Sequence, residues 1–141
     1  MMTKEQIIKL INSHLSCHLA TLDENNQPRV RGMLAYRADD DGIIFHTGSS
    51  KDLFKQVRDN PLVEACFYDR DSQTQIRVSG KAAIVYDDNL KREIVASRTF
   101  LKPWVEELGL DVIAVFRITE CVASVWTFET NFAPKEYIKL T

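Results

Sequence analysis

The stretch Arg29–Asp52, RVRGMLAYRADDDGIIFHTGSSKD, decides the fold of this 141-residue chain. It reads as an extended arm, a tight turn at Asp39-Asp40-Asp41-Gly42, and an apolar strand that ends in a helix start. Arg29 and Arg31 stand two apart on the arm and so share one face. Gly32 behind them leaves room for a flat ligand to lie against backbone, with Met33 and Leu34 continuing the arm. The second strand delivers His46 and Thr47 to a joint carrying Ser49, Ser50 and Lys51. A helix is expected over Ser49–Arg58, stopping before Asn60-Pro61. Free amides and the dipole make a helix start an anion site, and hydroxyls plus a lysine suit phosphate. Two readings fit the joint: simple capping, or a bound phosphate. A lysine in a first turn opposes the dipole and favours the anion. If the hairpin closes as it reads, the arginine arm lies beside the strand that ends at this joint.

Working outward, Thr3 and Gln6 spell a capping box for a helix with Ile7, Ile8, Ile11 and Leu15 on its apolar stripe. SCHLATLD, LVEACFYD and TQIRVSGKAAIVYD follow as strands, with Gly80 marking a bulge. Asp88 or Asn89 is expected to cap the helix LKREIVASRTF, and Pro103 to open a short helix ending at Gly109. VIAVFRITECVASVWTF reads as two strands, and EYIKL as a last short one. The whole is a single domain over 1–141, mainly β with flanking helices: six or seven mostly antiparallel strands in a sheet or barrel rather than a doubly wound fold. Gln75 and Arg77 share a face opposite Ile76 and Val78. Gln75 suits either a heterocycle edge or a solvated strand, and Trp126 either a core or interface anchor or a cofactor contact.

Composition excludes several classes. A net charge of −2 gives no electrostatic case for nucleic acid or anionic lipid. No apolar run reaches membrane-span length, and the first residues lack a signal-peptide core. Cys17, Cys66 and Cys121 have no C-x-x-C spacing and read as reduced core residues of a cytoplasmic protein. His14, His18 and His46 make no metal-ligand spacing with them, and no nucleophile triad is visible.

Taken in order, the ATLDENNQPRVRGML arm, the hairpin into GIIFHTGSSKD, the NPLVEACF strand and IRVSGKA resemble the FMN-binding split-barrel family that includes pyridoxamine 5′-phosphate oxidase. The resemblance runs from about His18 to Ala82, more loosely through SVWTF. It implies a six-stranded split barrel with FMN at the interface of a homodimer. Arg31 would meet the FMN phosphate with Ser50 and Lys51. Gly32, Met33 and Leu34 would run along the ring, with His46 and Thr47 at the next strand's end. Gln75 would contact the ring, and Trp126 matches a C-terminal tryptophan at the site. Tyr36 replaces the lysine that holds the substrate phosphate in the authentic oxidase. NFAPKEYIKLT has no counterpart to that enzyme's C-terminal arginine and histidine. The chain is therefore more similar to the short members of the family, such as nitroimidazole-resistance reductases and general stress proteins. The expected function is an FMN-dependent oxidoreductase for a small, planar or nitro-aromatic substrate; the alternatives are a non-catalytic flavin protein or a haem or deazaflavin binder.

Overall fold

A computed structural model describes all residues, Met1–Thr141. Helix α1 (Lys4–Ser13) begins where its capping box says it should: Thr3 accepts from the Gln6 amide while the Gln6 side chain accepts from the Thr3 amide. Ile7 and Ile11 on its stripe are fully buried. Strands β1 (Ser16–Leu22), β2 (Pro28–Leu34), β3 (Arg37–Asp39) and β4 (Gly42–Gly48) come next. After α2 (Asp52–Asp59) come β5 (Leu62–Asp69) and β6 (Thr74–Ile84). Then come α3 (Asp88–Ser97), α4 (Lys102–Leu108), β7 (Ile113–Trp126) and β8 (Ile138–Lys139).

Every strand pairing is antiparallel, in the order β2-β1-β5-β6-β7-β4-β3, with β8 beside β7. The two ends of this sheet are joined by the chain itself. Only Ala35 and Tyr36 separate β2 from β3; the Ala35 amide donates to Leu15 O and the Tyr36 amide to Ile44 O, each at 2.8 Å. The sheet thus curls into a split barrel, closed where one extended arm leaves β1 and joins β4.

That corner corrects the expected hairpin. The arm is not one strand against β4: only Arg37–Asp39 pair with it, whereas Arg31 pairs with Leu19 of β1. Counting β3 and the two-residue β8, there are eight strands rather than six. The expected pair of strands near the C-terminus is one 14-residue β7. Its apparent break is a bulge: Glu120 takes φ 51°, and the β6 register skips Gly80. A Cβ at Gly80 would lie 2.5 Å from Thr119 O, so glycine is required there. Helix α2 starts three residues later than Ser49, and α3 is capped by Asp87 rather than by Asp88 or Asn89.

The main core fills the barrel, with Phe45 stacked on Phe116 at 5.4 Å and Leu53 and Val57 of α2 packed into it. A second cluster of Ile44, Ile94, Ile113 and Val115 lies between α3 and the other face of β4 and β7. The chain's own helix therefore covers Ile113 and Val115 on the outer face of β7. The uncovered apolar face is elsewhere, on β2, β1 and β5: Val30, Leu34, Leu62 and Tyr68 are 44–69% exposed.

Candidate cofactor site

Along β4, side chains alternate between the barrel core and the α3 side. Phe45 and the buried Thr47 take the core parity; Ile44, His46 and Gly48 take the other. The joint then turns, with the Lys51 amide donating to Gly48 O at 3.1 Å, and Lys51 becomes the N-cap of α2. No side chain caps this helix. The Lys51 ammonium has no carboxylate partner, and the exposed Ser49 and Ser50 hydroxyls make no hydrogen bond within the protein. The Lys51 stem lies over Gly48, on the His46 side of the strand.

His46 is half-buried. Arg98, the C-cap residue of α3, places Nη1 2.8 Å from His46 Nε2, and Phe100 lies 6.5 Å from the imidazole. Burial, then the charges of Arg98 and Lys51, push His46 down to about 4, so the ring is neutral at neutral pH. Beside it, the Tyr36 hydroxyl donates to Glu93 of α3 at 2.5 Å.

Arg31 stands apart from this cluster. Its guanidinium donates to Thr21 Oγ1 and Gln56 Oε1, each at 2.7 Å, and so fastens β2 and β1 to the middle of α2. Burial lowers its pKa, partly opposed by Asp52 in the first turn of α2. Arg31 thus reaches the middle of α2, and the charge of Asp52 in the first turn acts on it. Gly32 lies on the uncovered face, where an added Cβ would meet nothing within 4 Å, while Met33 turns inward against the core.

Gln75 and Trp126 form a third place: they are direct cross-strand partners on β6 and β7. Trp126 donates from Nε1 to Asn131 and packs edge-on against Phe128 at 4.9 Å. A cleft of ≈ 700 Å³ opens here, lined by Gln75, Arg77, Ser124 and Trp126 among others.

The sequence reading overlooked Arg98, Glu93 and Phe100. The one available signal was Arg98 at a helix end, with apolar Ile94 and Val95 one turn before it and so no local acid to hold it. Two cysteines match their reading as inert core residues: burial pushes Cys17 up to about 12 and Cys121 up to about 11. Cys66 is instead half-exposed on the uncovered face. No group of three or more metal-ligating side chains exists.

The family profile described as pyridoxamine 5′-phosphate oxidase matches residues 3–119. The chain belongs to that family. The match takes in the β4–α2 joint, Arg31, Gln75 and Arg98, but not Trp126. Over 85 residues the chain is 31% identical to the pyridoxine/pyridoxamine 5′-phosphate oxidase of Agrobacterium fabrum, which is 60% of this chain and 41% of that enzyme. The chain thus spans about two-fifths of the length of this relative. Among solved structures, a NimC/NimA family protein from Clostridium acetobutylicum superposes with TM-score 0.76 at 22% identity, covering 97% of this chain and 92% of that one. A pyridoxamine 5′-phosphate oxidase-related, FMN binding protein from Nostoc punctiforme gives TM-score 0.61 at 14% identity, covering 93% and 86%. At these identities the likeness concerns the split-barrel fold.

Proposed function

We propose that the chain is an FMN-dependent oxidoreductase, a cytoplasmic homodimer holding FMN between two copies and acting on a small planar substrate, nitro-aromatics included. The observation that carries this reading is the β4–α2 joint, where a helix start without a side-chain cap meets an unpaired ammonium and two free hydroxyls. That donor set fits a phosphate dianion. When bound, FMN supplies the hydride or electron chemistry. Lys51 and Ser50 bind its phosphate, and Arg31 adds charge from the β2 side of α2. The backbone at Gly32 leaves a flat ring room on the uncovered face. His46 is neutral, so it serves as a hydrogen-bonding group and not as a general acid.

Distance supports the dimer. His46 pairs with Val115, and Gln75 pairs with Trp126, eleven residues farther along β7. Eleven strand residues at roughly 3.3 Å each measure about 36 Å along β7, which bends at Glu120, so the two places lie toward opposite ends of the strand. If Gln75 and Trp126 touch the ring whose phosphate sits at Lys51, they come from the partner copy. The exposed Val30, Leu34, Leu62 and Tyr68 supply an apolar face for that contact.

The absorbance spectrum of freshly purified protein tests the cofactor. Flavin bands are expected; deazaflavin or haem bands would overturn the reading. Flavin that no reductant and acceptor pair turns over would reduce the protein to a flavin carrier. Tyr36, which donates to Glu93, stands where the resemblance expects the oxidase's substrate-phosphate lysine. Pyridoxine 5′-phosphate should accordingly be a poor substrate, and rapid oxygen-dependent formation of pyridoxal 5′-phosphate would refute that.

A further inference from the structure

Arg98 reaches from the end of α3 to the corner that closes the barrel. Its Nη1 donates to Leu34 O at 3.0 Å and its Nη2 to Ala35 O, and its guanidinium lies 5.2 Å from the centre of the Tyr36 ring. These contacts fix where Nη1 meets His46 Nε2. A guanidinium has donors only. Nε2 must therefore be the acceptor, and the neutral ring carries its proton on Nδ1. A free imidazole side chain in water prefers the other tautomer, so this one has a cause. Nδ1 itself makes no hydrogen bond within the protein.

We infer that Arg98 is a positioning residue: it locks His46 as a neutral ring and leaves Nδ1–H as a standing donor to an oxygen of the bound ligand. The groups that face the ring agree. Arg98 comes from α3, Lys51 from the start of α2 and Phe100 from the turn after α3, while Tyr36 at the corner is tied to Glu93. No carboxylate pairs with the imidazole. Two cations and partial burial therefore resist a second proton on the ring, down to about pH 4. A donor of this kind keeps its hydrogen-bonding sense through the physiological range, where an unperturbed histidine would change charge. That the ligand is FMN rests on the proposed function; the tautomer does not.

The test begins with the ligand-free wild-type protein carrying ¹⁵N-histidine. Multiple-bond proton–nitrogen spectra should show a pyrrole-like Nδ1 and a pyridine-like Nε2 for His46, unchanged from about pH 8 to about pH 5, on either side of the ordinary histidine range. A ring protonated on Nε2, or one titrating in that range, would overturn the inference without any variant. Arg98→Met should convert His46 to the Nε2–H form and return its titration toward the ordinary range. Arg98→Lys, which keeps a charged donor, should retain part of the Nδ1–H form. For the ligand, His46→Gln keeps an N–H donor and should bind FMN within about threefold of wild type, whereas His46→Leu should lose about tenfold. Equal FMN affinity in His46→Leu and wild type would overturn the donor role while leaving the tautomer result to stand on its own spectrum.

Discussion

Lys51 and Arg31 would both serve a phosphate, yet they make different probes. Lys51 makes no ion pair, so Lys51→Ala removes a ligand contact and little else. We expect FMN affinity to fall about tenfold to a hundredfold, as losing one charge-assisted bond implies, with riboflavin binding unchanged; parallel fluorescence titrations with the two flavins check this. Arg31→Ala should show the same flavin selectivity together with lower stability, because Thr21 and Gln56 lose their shared donor. His46 adds a pH signature. Its folded pKa of about 4 lies below the ordinary value, so the unfolded chain takes up a proton that the folded chain refuses. Stability from this source is complete above the ordinary histidine range and is lost as pH falls toward about 4. The slope is at most about 1.4 kcal/mol per pH unit, less because the ring keeps some solvent contact. Urea melts between neutral and acid pH should show this slope in wild type and a flatter one in His46→Gln. The hydroxyls and lysine of the joint were legible because they are adjacent in sequence. Arg98 was not, because 52 residues separate it from His46 and only the fold brings them together.

At the scale of elements, α3 links stability to the site. Its first turn is capped by the Asp87 carboxylate, which accepts from the Asn89 and Leu90 amides, and its last residue precedes Arg98. Asp87→Ala should destabilise the protein by about 1 kcal/mol, measured by thermal or urea unfolding, and should weaken amide-exchange protection along α3 while α1 keeps its own. The capping box, the Pro103–Gly109 helix and the bulge at Gly80 were readable because each is signalled by neighbours in sequence. The split of the arginine arm into β2 and β3 was not. Nothing between Arg29 and Asp39 breaks the extended pattern locally; the change of partner at Ala35 and Tyr36 is imposed by β1 on one side and β4 on the other. Likewise β7 reads as two strands because a bulge and a turn look alike when the strand opposite is unknown.

At the scale of the molecule, the exposed face of β1, β2 and β5 is the feature that asks for a partner. A paired state burying roughly 2,000 Å² or more is expected. Val30→Asp, at an exposed position with no packing role in the monomer, should yield a folded monomer with weakened FMN binding. Sedimentation of wild type as a monomer at micromolar concentration with FMN still bound would refute the dimer. The apolar runs at 112–118 and 122–128 read in the sequence as surfaces needing a partner, since it could not show that α3 folds back over Ile113 and Val115. The order of strands also governs how the molecule is made. β4 is complete by residue 48, but its neighbour β7 begins only at residue 113. During synthesis, the strand bearing His46 therefore waits with one edge unpaired for about 65 further residues, several seconds at ordinary elongation rates. If FMN is held beside His46 as proposed, the finished site exists only at the end of that wait, and the cofactor would then act on an almost complete chain.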